Sequence, residues 1–375
     1  MSVRTPKLII VITDAPLPGS RSNDPSHAVP DYPSRVRGCL LGGALGDQLG
    51  AAVELDSFDL IAGQFGADGL RDFSQLPDPG HFTSDTQLTL YTLDGLTEAL
   101  EWANAGTAAD EAACLWLAYL RWYATQEGRF PDGAPAPQPR WIDGQTVLHT
   151  RRAPAEACLS GLASGEMGTR ARPVNRDAHD SSTVTRSAPF GLLPFVDDQT
   201  VQRLATDGSA LTHGHPAAHR SAATLATFIR LLVHEQATLP GAAVAMLART
   251  EHDPAAAELA GRLRAAVELS AQGPVAPADL TAALGDGRSA EEALSIGLYA
   301  VLATADSTTP EQHFRRAVAT AINHDGDSNA TGSIAASLLG AHYGEAALPG
   351  DWLAALEGTD AIRGMADRFL AQTQG

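Results

Sequence analysis

Lysine is almost absent. In this 375-residue chain only Lys7 is a lysine, and every other basic side chain apart from histidine is arginine. Lys7 falls in an N-terminal segment that reads as unattached to the core. A Schiff-base lysine or a phosphate-loop lysine is thereby excluded. Cysteine is scarce too: Cys39, Cys114 and Cys158 are odd in number and widely spaced, with no C-x-x-C among them. Such a set suggests neither a zinc framework nor a disulfide scaffold, and it fits a reducing cytoplasm. Positive charge is in deficit, with a formal net charge of −18 and a pI near 4.9. That balance argues against nucleic acid or an anionic membrane as partner. No apolar run approaches the ~20 residues of a membrane span. There is no G-x-S-x-G elbow and little β-branched alternation. The strand-turn-helix that supports a Ser-His-Asp hydrolase is therefore not expected.

What is present is helical in pattern. Alanine and leucine, both strong helix formers, dominate the chain. Val36, Leu40 and Ala44 share one apolar stripe, and Leu294, Leu298 and Val301 another. The pattern predicts an all-α fold. No composition break divides residues 35–375, so they are expected to form one compact domain. The Pro-rich run 129–140 reads as a loop between helices, and Trp116, Trp122 and Tyr123 as helical core aromatics. Residues 1–34 differ in character. Residues 8–12 suit a short strand, too short for a signal-peptide core, and residues 16–33 read as a flexible lead-in.

Three segments carry the chemistry. The late run 322–332 places Asp325, Asp327 and Asn329 at alternate positions in a Gly-containing turn, with a small-residue helix behind it. Alternating oxygen donors of this kind suit a hard cation such as Mg²⁺ or Ca²⁺. The plainer reading is that Asp327 or Ser328 only caps that helix. The second segment, 79–90, is another oxygen-rich turn opening a helix, containing Thr83, Ser84 and Asp85. Here Ser84 and Gln87 fit the S-x-x-Q capping box. The third places Gly38, Gly42, Gly46 and Gly50 on one helix face at i, i+4. Glycine is costly inside a soluble helix, so this face requires close approach by another backbone.

Together and in this order, these segments resemble the ADP-ribosylglycohydrolase family. Gly38 to Glu54 is similar to its G-x-x-x-G-x-A-x-G-D-x-x-G-x-x-x-E opening, residues 83–88 to its T-D-D-T-x-M/L helix start, and residues 327–330 to its D-x-D-S/T loop. The run Thr212-His213-Gly214-His215 resembles a T-H-x-H segment, and residues 289–294 fit a further family helix. The likeness spans about residue 35 to the C-terminus. It implies a compact helical fold with a central metal and ligand cleft. In that cleft Mg²⁺ ions held by the two oxygen-rich turns gather the ribose and an attacking water. It implies hydrolysis of a glycosidic bond to ADP-ribose on a protein side chain, nucleobase or small molecule. Glu54 would act on the water or leaving group, with Asp85 beside it.

The chain departs from the family pattern in three places. Ser84 replaces the first Asp of the T-D-D start, and Asn329 and Ala330 replace the second Asp and the Ser/Thr of the late loop. Metal donors would then be Thr83, Ser84, Asp85, Asp327 and Asn329. Asp325 is a further candidate, supplying a compensating carboxylate. Fewer charged ligands imply weaker Mg²⁺ binding and one ion in place of two. The third departure is the run 175–189, which keeps Arg186 and Ala-Pro but lacks the glycines of the family's diphosphate loop and adds Asp177 and Asp180. Cofactor or ligand contacts would come from Arg186, His213 and His215; the alternative for the last two is a helix-start turn with Pro216 first in the helix. Two readings stand: a hydrolase with an altered metal shell, or a pseudoenzyme that binds an ADP-ribose-like ligand or serves as an interaction protein.

Overall fold

Four glycines decide how the centre of the molecule is built. In this computed structural model, which describes residues 29–373, the helix Tyr32–Ala51 lies antiparallel against the helix Ser328–Tyr343. A Cβ added to Gly38, Gly42, Gly46 or Gly50 would stand 2.5, 2.7, 2.1 or 2.3 Å from the backbone oxygens of Gly340, Ala336, Gly332 and Ser328. The two helices touch backbone to backbone along four turns, closer than side chains permit. The packing reason that the glycine spacing demanded is this contact.

Other helices wrap the pair. In chain order they are Phe58–Phe65, Ser84–Asn104, Glu111–Glu127, Glu156–Ala163, the short Ser182–Thr185 and Ala188–Leu192, Asp198–Ala210, Pro216–His234, Leu239–Glu251, Ala257–Ser270, Pro277–Leu284, Ala290–Ala303, Pro310–Ile322, Gly350–Ala355 and Thr359–Gln372. The fold is all-α: among the described residues there is no strand, only an isolated antiparallel bridge between Asp180 and Ser289. Val36, Leu40, Ala44, Leu294, Leu298 and Val301 are all buried, as their spacing predicts. Trp122 and Tyr123 are core residues too, while Trp116 is half-buried.

The strand read at residues 8–12 lies outside the described residues. The first helix starts at Tyr32, ahead of the boundary expected at residue 35, with the Asp31 carboxylate accepting from the Ser34 N–H at 2.8 Å. No described helix is long and apolar enough to cross a membrane.

Candidate active site

The cleft begins with a residue whose role the sequence reading left unassigned. Asp47 follows Gly46 in the first helix and is fully buried. One of its oxygens accepts from the Thr83 N–H (3.0 Å), the Thr86 N–H (3.1 Å) and the Thr86 hydroxyl (2.5 Å). A carboxylate at a helix N-terminus satisfies orphan N–H groups and opposes the positive end of the dipole. Next to it, the Gln48 side chain donates to the Pro79 and Ala355 carbonyls at 3.1 and 3.0 Å, fixing the turn that leads into Thr83. The first helix therefore places the Ser84–Asn104 helix start.

That start is not the capping box expected from Ser84 and Gln87. Thr83 is the N-cap, its hydroxyl accepting from the Asp85 N–H at 3.1 Å. Gln87 instead accepts from the Trp122 indole at 3.0 Å and donates to the Thr150 carbonyl at 2.8 Å. Helix-to-helix polar contacts outcompete the local box. Ser84 is buried, with its hydroxyl directed at the Ala153 carbonyl, 3.4 Å away.

The late loop enters from the opposite side. Asp327 caps the Ser328–Tyr343 helix, accepting from the Ala330 N–H at 3.3 Å, so the capping reading of this residue is correct as far as it goes. Its second oxygen accepts from the Ser181 hydroxyl at 2.6 Å. Asn329 donates its amide to the Thr83 hydroxyl at 3.2 Å and the Asp85 carboxylate at 3.5 Å. Thr83, Asp85, Asp327 and Asn329 therefore meet, as their sequence pattern suggested, with Asp47 behind them. Asp325 does not join them. It is exposed, and its carboxylate accepts the Phe58 N–H at 2.5 Å, away from the cleft. Gly326 alone separates it from Asp327, and alternation along the loop sends the two side chains to different neighbours.

The carboxylates repel one another. Burial, then the charges of Asp47, Asp327 and Glu54, raise Asp85 well above the usual carboxylate range. Burial also raises Asp47. Burial, with help from Asp180 and Asp47, pushes Asp327 up to about 6, against the lowering effect of its Ser181 and Ala330 hydrogen bonds. Glu54, half-buried just after the first helix, is pushed up to about 7 by burial and then by Asp327 and Asp47. No cationic side chain figures among the forces on these four groups. Two buried acceptors in the same cluster, one oxygen each of Asp47 and Asn329, have no hydrogen-bond partner. Among the described residues no three His, Cys, Asp or Glu side chains converge on one point. A cation here would need neutral oxygens to complete its shell.

The other expected ligand contacts divide. Arg186 is turned into the core. It donates to the Thr212 hydroxyl (2.6 Å) and Cys158 Sγ (3.1 Å) and lies over the Tyr119 ring at 5.0 Å. Its expected role as a ligand contact is corrected to a structural one: its donors hold the Thr212 segment to the neighbouring helices. His213 is buried, bridging the Thr212 hydroxyl and the Asp180 carboxylate, each at 2.8 Å. Burial lowers the His213 pKa, against the upward pull of Asp180. Burial would raise Asp180, but the hydrogen bond and charge of His213 together with the hydrogen bonds from Ser182 outweigh it and hold the carboxyl far below the usual range. His215 is the N-cap of Pro216–His234, as the turn reading has it. Its ring is partly exposed and 4.7 Å from that of His179.

The loop replacing the glycines makes its own arrangements. Asn175 takes the positive φ of +46° that the missing glycines would allow, held by donations to the Ala157 and Thr212 carbonyls at 2.9 and 3.0 Å. The N–H groups of Ala178, Ser181 and Ser182 all donate within the protein. Asp47, Asp180 and Ser181 are the residues that sequence reasoning missed. A signal existed for Asp47, the one acidic residue in a helix of mostly small and apolar residues; Asp180 and Ser181 act through tertiary contacts and had none.

Comparison with known proteins gives the family and the fold. Residues 28–375 match the ADP-ribosylglycohydrolase family. ADP-ribosylhydrolase ARH3 of Homo sapiens is 24% identical over 345 residues, covering 87% of this chain and 90% of that protein. ARH3 of Danio rerio is 23% identical over 368 residues, covering 90% of each. A solved structure titled ADP-ribosylglycohydrolase-related protein complex superposes with a TM-score of 0.59 at 22% identity. It covers 92% of this chain and 99% of its own, and shows a shared fold.

Proposed function

Because this chain belongs to the ADP-ribosylglycohydrolase family of hydrolases, we propose that it cleaves the glycosidic bond between ADP-ribose and an acceptor with the help of a weakly held Mg²⁺ ion. The observation that carries the metal is the electrostatics of the cleft. Four carboxylates share it with no cation, and buried oxygens of Asp47 and Asn329 lack partners. An uncompensated buried charge is expensive, and a hard divalent ion relieves it. Asp85 and Asp327 are the charged donors in this reading, with neutral oxygens from Thr83, Ser84 and Asn329; Asp47 supplies negative charge from behind. Two positions that carry Asp in the family pattern are neutral here, which supports one ion in place of two and a lower affinity.

When bound, the ion supplies Lewis-acid polarisation of the ribose hydroxyls and orientation of a water. The protein's own groups do the rest. Glu54 sits at the cleft edge with its proton affinity raised to about 7, where a carboxyl exchanges protons at neutral pH. It takes the proton from the attacking water or gives one to the leaving group. Ser181 fixes the rotamer of Asp327, and Thr83 fixes the Asp85 backbone. The partly exposed His215, with His179 against it, offers donors for the phosphate end of the substrate. His213 supports that segment from inside.

The deciding experiment is release of ADP-ribose from a mixed panel of ADP-ribosylated peptides, nucleobases and small molecules, with Mg²⁺ and with EDTA. Release abolished by EDTA is the expected result and would also identify the acceptor. No release from any substrate by folded protein would favour the ligand-binding pseudoenzyme.

A further inference from the structure

The structure assigns Asp325 a positioning role: through the Phe58 N–H, its carboxylate pins the turn that carries Glu54. Asp325 accepts the Phe58 N–H at 2.5 Å, and the next residue, Gly326, accepts the Leu55 N–H through its carbonyl at 2.8 Å. One dipeptide therefore grips both ends of the segment 55–58, directly after Glu54.

The segment's other ties lie behind it or in the helix it enters: the Asp56 N–H donates to the Val53 carbonyl at 3.2 Å, Ser57 caps the helix, and Phe58 packs part-buried against the core, so only the Asp325-Gly326 pair joins it to the late loop. Leu55 has a φ of +63°, a left-handed conformation that a branched side chain resists. Its side chain is 56% exposed, so apolar burial does not account for the geometry. Phe58 is the first residue of the Phe58–Phe65 helix, and its N–H is one of the donors such a helix leaves unsatisfied. A carboxylate there supplies the missing acceptor and favourable charge.

The other end of the grip is rigid. Gly326 has a φ of +148°, and a Cβ on it would stand 1.9 Å from the Asp286 carbonyl oxygen, so no other residue fits. The Asp327 N–H donates to that same oxygen at 2.9 Å. The tripeptide Asp325-Gly326-Asp327 is thus anchored to Asp286, with Asp327 facing the cleft and Asp325 facing the turn of Glu54. The loop that presents one carboxylate to the cleft also sets where the other stands.

The inference rests on Glu54 handling the proton in the proposed reaction, and its test separates the two. Wild type, Asp325→Ala, Asp325→Asn and Glu54→Gln are compared as full chains. Amide hydrogen exchange over residues 55–60 needs no substrate. Asp325→Ala should speed it by ~tenfold or more, a local opening, while Asp325→Asn keeps it slow because the amide oxygen accepts the same N–H. In ADP-ribose release, Asp325→Ala should lower kcat with KM and the half-saturating Mg²⁺ concentration unchanged, and Asp325→Asn should restore kcat. Unchanged exchange in Asp325→Ala overturns the proposal. So does a raised Mg²⁺ requirement in Asp325→Asn, which would make the carboxylate a metal donor; that arm stands even if the alanine variant fails to fold. Full activity in Glu54→Gln would instead remove the role given to Glu54, leaving the exchange result to decide the pinning.

Discussion

Gly46 and Gly332 approach so closely that a Cβ on Gly46 would lie 2.1 Å from the Gly332 carbonyl oxygen, and one on Gly332 would lie 2.6 Å from the Gly46 oxygen. Both obstacles are backbone, which cannot rotate away. Gly46→Ala should therefore force the two central helices apart. Overpacking of this kind costs about 1–3 kcal/mol. Because Asp47 and Asn329 ride on these helices, the cleft should open with them and any Mg²⁺-dependent stabilisation should shrink. Gly261→Ala is the matched control: it lies within the Ala257–Ser270 helix with nothing near its would-be Cβ. There alanine should stabilise by about 0.5–1 kcal/mol. Thermal melts of the two variants, with and without Mg²⁺, check both halves.

Proton and cation should compete for the cleft. Asp327 and Glu54 have folded-state pKa values raised to about 6 and about 7, above the ordinary carboxylate range they resume on unfolding. Groups raised in this way stabilise the fold while protonated, at low pH, and that contribution is lost as pH rises through the folded values. Mg²⁺ restores it only where the carboxylates are ionised. The gain in Tm on adding millimolar Mg²⁺ should therefore be small near pH ~5 and grow through pH ~6–7. Buried histidines act oppositely. Burial and Arg35 lower His342 to about 4, and burial also lowers His313 and His324. Their contribution is present above the unfolded histidine value and lost as pH falls. None of the three figures among the charges acting on Asp47, Glu54, Asp85 or Asp327, so their contribution should cancel in the difference between melts with and without the ion. A metal-induced shift that is the same at both pH values would remove these carboxylates as ligands.

Restoring the absent carboxylates should strengthen the ion site and weaken the metal-free protein. Asn329 now donates its amide to Asp85, partly doing what a cation would. Ser84→Asp with Asn329→Asp replaces that donor by a second negative charge in a buried cluster, so the Tm in EDTA should fall. The Mg²⁺ concentration for half-maximal stabilisation should drop by ~tenfold or more, equivalent to about 1.4 kcal/mol. If the pair also creates hydrolysis that the wild type lacks, the natural protein is a decayed enzyme.

Features set by local spacing were legible in the sequence. The i, i+4 glycines implied a backbone contact, and the partner helix supplied it. The apolar stripes placed the core, and the two oxygen-rich turns do meet, at Asn329 and Thr83. What depended on side-chain direction was not legible. Asp325 and Asp327 look equivalent as alternate carboxylates, yet one caps a neighbouring helix outside the cleft while the other lies within it. Arg186 matched a phosphate-loop arginine, but a buried hydroxyl, a thiol and an aromatic face give its guanidinium partners that no local pattern reveals. Gln87 had the spacing of a capping box, and the Trp122 indole from another helix took its oxygen. Each miss was a tertiary contact overriding a local preference.

Glu54→Gln isolates proton transfer from everything else in the cleft. The amide matches the carboxyl in shape, and Glu54 is hydrogen-bonded neither to Asp85 nor to Asp327, so fold and ion site should survive. Loss of the charge even relieves Asp85, which Glu54 helps to raise. The Mg²⁺-induced rise in Tm should accordingly persist. Turnover should fall by ~10²–10⁴, the usual size of a general acid or base contribution. In the wild type, the value of about 7 is set by burial together with the charges of Asp327 and Asp47. A bound cation offsets those charges, so the Glu54 limb in the Mg²⁺-saturated rate profile should lie below about 7 and vanish in the glutamine variant. A variant that loses activity and the Mg²⁺-induced stabilisation together would instead identify Glu54 as a metal ligand.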